Sequence, residues 1–529
     1  MPQLTLVSPR ICALLGAFAA LFLSTTGFAA TVQIAPGDDL LSAANALSPG
    51  DELVLGDGTY EMSARFLLSL RGSAQAPIVI RAADGAAPLI HRPNASQNIW
   101  DIDAEHLILR GLRFSGGSAG LRFLHAQHVT LEACEIFDTA DVALRMNDTS
   151  QNYAQNTIID NHIHHTSGTG EGMYLGCNQN GCQLSETLIA RNYIHHTNGP
   201  GVSQGDGIEI KEGSWGNTIR DNVIHDTAYP CILTYSTAGN GPANIIDRNA
   251  MWACGDHGIQ TSQDASITNN IILSAANSGI ALQPHQAGAP TNLVIAHNTV
   301  FSSSDAIALR GAAGDVLIAN NAAYSGGASA LLLKGDLSAV VVRANVGVGA
   351  INGPDGGLSA GDTDADFVDA HAGAGVMNVF PAAGGALIAA GDTAHVLDFD
   401  FNGTPRQGVA DIGAYRFDAA GNPGWTIAPE FKDTPAAEPE IPDDSDAGAT
   451  DVGLADTRSD DTASTPDAMP DASPSDVQNA ADGHTQTPGE KPSSEGCGCN
   501  TPAQPTPFQG ILFLAAIGLY AHHRWRATR

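Results

Sequence analysis

Arg145, Tyr174, Asp206, Glu209, Lys211, Tyr235 and Gln260 are the residues of this chain whose types and spacing suit chemistry. They lie in or beside a phrase that recurs as VALR from 142, MYLG from 173, GIEIK from 207, CILTY from 231, GIQTS from 258, GIALQ from 279 and AIALR from 306. Each phrase alternates with the period of a strand, so every second side chain faces away from the core. Aligned on Val142, Met173, Ile208, Ile232, Ile259, Ile280 and Ile307, the phrases put Ala143, Tyr174, Glu209, Leu233, Gln260, Ala281 and Ala308 in one outward column. The next column holds Arg145, Gly176, Lys211, Tyr235, Ser262, Gln283 and Arg310, while Asp141, Glu171 and Asp206 stand at similar edges just before their strands. Elimination beside a sugar carboxylate needs a cation or metal to neutralise that carboxylate and a base to remove the adjacent carbon-bound proton. Here Lys211 would be the base, its pKa lowered by partial burial or a nearby cation, and Arg145 the neutraliser. Asp206 and Glu209 offer oxygen ligands to Ca²⁺, and Tyr174, Tyr235 and Gln260 would support the sugar. Glu209 and Lys211 also read as a solvated ion pair of little energy.

Histidines form a second set. His164 and His165, His195 and His196, then His225 and Asp226 fall at one offset in successive repeats and should stack. Such a column can bind Zn²⁺, or it can be a ladder of neutral imidazoles hydrogen-bonded to one another.

The element that must position these residues is a repeat. The phrases DNHI, RNYI, DNVI, NNII and HNTV carry Asn161, Asn192, Asn222, Asn270 and Asn298, and Asn249, Asn321 and Asn345 complete a series with spacings of 21 to 31 residues. Two short strands per repeat, varied by insertion, predict the coils of a solenoid, a right-handed parallel β-helix. About a dozen coils stacked at the strand spacing would give a rod of roughly 55 Å. The aligned Asn should form an internal ladder at a tight bend that tolerates left-handed geometry.

Of 529 residues 58 are Gly and 15% are charged, which suits short strands and tight turns. A net charge of −32 argues against nucleic acid as a partner. Residues 1–30 carry Arg10, an apolar run and GFAA, the pattern of a signal peptide for export. In an oxidising compartment Cys177 and Cys182, which bracket NQNG, should pair; Cys231 and Cys254 are a second candidate pair, leaving Cys134 free. Residues 432–495 hold 16 acidic residues against Lys432, Arg458 and Lys491 with almost no large apolar side chains, the composition of a disordered, extended linker. In 496–529 the motif GCGCN precedes a short apolar run and a basic end. This reads as a sorting segment or as an ordinary tail anchor.

Several stretches resemble known families. TVQIAPGDDLLSAANALSPGDELVLGDGTYE resembles the N-terminal cap of secreted right-handed β-helix proteins, and GSAQAPIVIRAADGAAPLI with HLILRGLRFSGG resembles the first coils of a group that includes polysaccharide lyase family six. The resemblance spans 31–350. DGIEIKEGSWGNTIRDN is similar to that family's run of acid, Lys and Asn, and carries over to Glu209 and Lys211. The family has a second acid two positions before the Glu209 position, a Lys five after it and an Arg one coil later; this chain has Gly207, a Lys211 that follows Glu209 too soon, and Leu233 and Tyr235 where the Arg is expected. Residues 351–431, with Asp400, Gly403, Arg406, Asp411, Gly413 and Tyr415 in DFNGTPR and DIGAY, resemble a choice-of-anchor Q region that would cap the β-helix. The tail resembles the MYXO-CTERM segment, which implies cleavage by a processing protease near Cys497 or Cys499, either of which would be the anchor.

These readings describe an exported monomer held at the cell surface, touching the membrane only through its tail, with a polysaccharide as partner. Two functions fit: a lyase-like enzyme on an acidic polysaccharide, or a non-catalytic polysaccharide-binding or adhesin-like rod.

Overall fold

The computed structural model describes residues 29–433 except 287, 354–355 and 372–375. The signal segment up to residue 28, the acidic linker beyond 433 and the tail with Cys497 and Cys499 lie outside the described residues. Among the described residues no helix is long and apolar enough to cross a membrane.

Short strands rich in Ile, Val and Leu stack coil on coil. The chain is a right-handed parallel β-helix with three faces. One is a sheet of thirteen strands from Thr31–Ile34 to Val340–Arg343, each parallel to its equivalent in the next coil. The second face runs from Thr59–Glu61 through His162–Thr166 to Leu358–Ala360, and the third from Leu67–Arg71 through Ile208–Ile210 to Ile307–Ala312. The long strand Ala322–Gly335 joins the last two. The N-terminal end begins with the short helix Leu40–Asn45, capped by the Asp39 carboxylate, which accepts from Ser42 N at 3.0 Å. Inward side chains such as Ile158, Ile189, Ile219, Ile194, Ile208 and Ile210 are at most 1% exposed.

The Asn ladder is continuous. Asn192 Oδ1 accepts from both the backbone N and the Nδ2 of Asn161, at 3.0 and 2.9 Å, and Asn222 Oδ1 does the same for Asn192. The other Nδ2 proton of Asn192 goes to Ile158 O at 2.9 Å, so the buried amide is saturated. The left-handed residue of each bend is not the Asn but the one before it: Asp160, Arg191, Asp221 and Arg248 have φ between 51° and 58°. A second ladder escaped the sequence reading, in which Asn217 donates to Asn244 Oδ1 at 2.9 Å.

In the region expected to cap the β-helix, Leu358–Ala360 adds a last rung to the second face and the residues from Phe367 on pack along the flank. Phe367, Phe380, Phe401, Ile412 and Tyr415 bury against Val223, Ala250, Ile271 and Ala322 on the outer side of the second face. Val223, Ala250 and Ile271 are apolar on consecutive coils, Ala322 follows after the coil of Thr299, and these outward positions need covering. Arg406 of the DFNGTPR motif is wholly buried, donating to the Gly413 and Ala414 carbonyls and to Asn269 Oδ1, each at 3.0 Å. The Asp400 and Asp411 carboxylates accept from backbone amides around it, so the motif is a docking knot for the flank. Cys177–Cys182 and Cys231–Cys254 are disulfides and Cys134 is free and buried, as the spacing suggested.

Candidate functional site

Parallel pairing on the third face sets the outward column. Tyr174 stands opposite Glu209, Glu209 opposite Leu233, and Leu233 opposite Gln260. Arg145 stands opposite Tyr174, because Leu144 rather than Val142 pairs with Met173. The sequence alignment of that coil was therefore displaced by two residues, a slip that leaves the inward and outward faces unchanged and so goes unseen in period-2 patterning. Arg145 belongs to the Glu209 column, two coils away, and its guanidinium pairs with Asp141 at 2.8 Å. It is not brought to Lys211 as expected.

Lys211, Glu209, Tyr174 and Tyr235 do converge. The Lys211 ammonium donates to Glu209 Oε1 and lies 4.6 Å from the Tyr174 ring centre and 5.2 Å from that of Tyr235. Tyr235 Oη donates to the same Glu209 oxygen at 3.0 Å. The groups are not solvated: Lys211 is 6% exposed, Glu209 2%, Tyr235 4% and Gln260 5%. His285 packs edge-on to Tyr235 at 4.8 Å, and Gln286 reaches Asn178 Oδ1 at 3.1 Å. Burial pushes the Lys211 pKa down, but the Glu209 carboxylate and the Tyr174 hydroxyl outweigh it, so the value rises. The expectation of a lowered Lys211 is corrected: its near neighbour is an anion, not a cation.

Behind Glu209 is an acidic pocket. Glu171, Asp206 and Glu209, all at most 2% exposed, present carboxylate oxygens within 4.8 Å of one another. Among the described residues Glu171 Oε2, Asp206 Oδ1 and Glu209 Oε2 have no hydrogen-bond partner. Burial first, then the neighbouring carboxylates, raise the pKa of Asp206 well above the ordinary range, and burial raises that of Glu171. Three buried oxygens with unused lone pairs are the donor set of a hard cation. Glu171, in the sequence only an edge residue, is thus the third member beside Asp206 and Glu209. No side chain fits at Gly207, where a Cβ would lie 2.5 Å from Cys231 O and from Ile224 Cγ2.

The histidines stack on the second face as their offsets indicated. His164 and His195 rings are 5.0 Å apart, His195 and His225 5.1 Å, and His165 and His196 4.7 Å, each pair within 12° of parallel. His165, His196 and Asp226 have φ of 52° to 56°, which turns each side chain back beside its predecessor. Adjacent residues that would diverge on a regular strand therefore meet: His195 Nδ1 is 2.6 Å from His196 Nδ1, and His225 Nδ1 2.6 Å from Asp226 Oδ2.

Comparison with known proteins agrees with the fold. The family described as "Right handed beta helix region" matches residues 89–202 and 157–323. No curated protein matches the chain. Among solved structures, an alginate lyase from Paenibacillus sp. str. FPU-7 is similar at 21% identity, covering 59% of this chain and 99% of its own, with a TM-score of 0.40. Pectate lyase Pel9A is similar at 14% identity over 74% of this chain and 97% of its own, TM-score 0.45. The A-module of mannuronan C-5 epimerase AlgE6 from Azotobacter vinelandii is similar at 12% identity over 61% and 93%, TM-score 0.38.

Proposed function

We propose that this β-helix is a surface-displayed, carbohydrate-active protein of lyase-like chemistry acting on an acidic polysaccharide. The observation that carries the reading is the convergence of Lys211, Glu209, Tyr174 and Tyr235 above the buried oxygens of Glu171, Asp206 and Glu209. These carboxylates would hold Ca²⁺, which would supply positive charge to neutralise a uronate carboxylate. Lys211 Nζ would take the carbon-bound proton once it has given its own proton up, and the Tyr174 and Tyr235 rings flank it. The test is a panel of polysaccharides with and without Ca²⁺, read by the absorbance of unsaturated uronate ends. Release from a polyuronate that depends on Ca²⁺ supports the reading, and no release from any substrate removes it.

A second reading, a polysaccharide-binding or adhesin-like rod, is favoured by one observation: Lys211, Glu209, Tyr235 and Gln260 are buried. Retention of the protein on an immobilised polysaccharide without release of unsaturated ends supports this reading.

For display, the proposal is that the exported chain is cut near Cys497 and Cys499 and tethered there through the acidic linker. Mass spectrometry of the surface protein should find a C-terminus within a few residues of these Cys. Intact peptides through Trp525 would show a retained anchor instead.

A further inference from the structure

The outer side of the second face carries a group of side chains that the reading above does not use. Glu135 stands opposite His162 on the next coil, and Phe137 opposite His164, so one carboxylate and two imidazoles two residues apart share one surface. His164 Nε2 lies 3.2 Å from Glu135 Oε1, and His162 Nδ1 lies 3.7 Å from the same oxygen. The other carboxylate oxygen, Oε2, accepts from Arg113 Nε at 2.5 Å, which orients Glu135 and leaves Oε1 turned to the imidazoles.

The contacts around the group are compatible with imidazole lone pairs directed at Glu135. His162 Nε2 is 2.8 Å from His195 Nε2, and His195 Nδ1 is 2.6 Å from His196 Nδ1. Neutral imidazoles satisfy both contacts when each ring donates outward to the next: His162 Nε2–H to His195, then His195 Nδ1–H to His196. His162 Nδ1 then carries a lone pair, and it faces Glu135. On the other side His164 Nδ1 is 2.7 Å from His165 Nδ1. His164 Nε2–H donates to Glu135 Oε1 at 3.2 Å; an ion there would take the place of that proton, and a proton held on His164 Nδ1 and donated to His165 would leave the Nε2 lone pair for it. Each imidazole thus has its second nitrogen fixed by a histidine behind it, and the carboxylate is fixed by an arginine, the outer-shell support that metal ligands receive.

The spacing suits one ion. Bonds of about 2.0 to 2.2 Å from a tetrahedral zinc to nitrogen and oxygen set its ligand atoms roughly 3.3 Å apart; here Glu135 Oε1 lies 3.2 and 3.7 Å from the two imidazole nitrogens, and the three ligand atoms all lie within 4.8 Å of one another. Two nitrogens and one oxygen select a borderline ion over Ca²⁺. The group also opens outward: Glu135 and His162 line a cleft of about 350 Å³ bordered by Arg113, Asp160 and Phe431.

We propose that Glu135, His162 and His164 form a binding site for one divalent transition-metal ion of the zinc class, with its remaining coordination positions open to the cleft beside Phe431. The site is separate from the acidic pocket of the third face and holds whether or not the chain cleaves a polysaccharide.

The test uses the full-length chain stripped with a chelator, then titrated with Zn²⁺ by calorimetry and with Co²⁺ by visible absorption. Expected are one ion per chain at this site, strong Co²⁺ bands of a low-coordinate site, and no displacement by excess Ca²⁺. Glu135→Gln and His164→Gln should each weaken Zn²⁺ binding at least about tenfold, while Glu209→Gln and His225→Gln leave it unchanged. Circular dichroism checks that the variants fold, and the Co²⁺ spectrum of the unaltered chain tests the site without any variant. Absence of a retained ion, the weak bands of six-coordinate Co²⁺, displacement by Ca²⁺, or loss on His225→Gln but not on His164→Gln would each overturn the proposal.

Discussion

Tyr235 Oη donates to Glu209 Oε1 at 3.0 Å across one coil, on the oxygen that also receives the Lys211 ammonium, while Glu209 Oε2 receives no bond. One carboxylate thus has one saturated and one bare oxygen, both out of water. Carboxylate oxygens of Glu171 and Asp206 lie within 4.8 Å of one of the two, and the saturated one ties together two coils.

Breaking this tie should be costly. Lys211→Met leaves Glu209 buried without its cation and should destabilise the chain by about 3 kcal/mol. The double variant Lys211→Met with Glu209→Gln should recover most of that loss, since no charge remains to be buried. Urea denaturation of the four proteins of the cycle measures the coupling, and a double variant no better than the single one would show that the pair is not the cause.

The acidic pocket has a definite sign with pH. Asp206 titrates higher folded than unfolded, so the folded chain holds more protons above the unfolded value near 3.9. Its stabilising contribution is complete below that value and is lost as pH rises through the folded one. Asp206→Asn should therefore raise the melting temperature at pH 7 relative to the unaltered chain. Ca²⁺ should raise it in the unaltered chain and do little in the variant. Calorimetric melts at pH 5 and 7 with and without Ca²⁺ read both effects.

Lys432 pins the flank. Its ammonium, 1% exposed, donates to Asp221 Oδ1 at 2.6 Å and to Phe401 O at 2.7 Å, and Arg248 also pairs with Asp221. Burial pushes the Asp221 pKa up, but the Lys432 and Arg248 charges hold it down to about 2. A depressed carboxylate stabilises the chain above its unfolded pKa, near 3.9, and that contribution, about 2 kcal/mol, is lost as pH falls through about 2. Lys432→Met should shrink this acid-sensitive step and speed hydrogen exchange in 398–417, measured by mass spectrometry.

The Asn ladder is a series of equal links, so position decides the cost. Asn222→Ala removes the acceptor of Asn192 N and Nδ2 and the donors to Asn249 Oδ1 and to Ile189 O, and should cost about 2 to 4 kcal/mol. Asn345→Ala, at the last link, should cost less. Equal losses at both sites in urea denaturation would argue against a cooperative ladder.

Much of this molecule was legible in its residues. The Asn series set the coil length, because a buried amide that must be saturated recurs wherever the backbone makes the same bend. Period-2 alternation separated Ile208 and Ile210 from Glu209, and the short loop between Cys177 and Cys182 named a disulfide. Alternation was blind to a slip of two, and Arg145 was misplaced for that reason.

What only the tertiary structure decided is environment. Lys211 and Glu209 look like a surface pair in sequence, yet both are buried, with His285, 74 positions beyond Lys211 in the chain, packed on Tyr235; burial lowers the Lys211 pKa as expected, and the Glu209 carboxylate beside it raises the value instead. Burial depends on segments contributed from other coils, and no local pattern encodes it. The meeting of Glu135 with His162 and of Glu171 with Asp206 and Glu209 likewise depends on insertions of unequal length bringing successive coils into register. Residue type and periodicity specify the strand and its faces, whereas distance and dielectric arise from stacking.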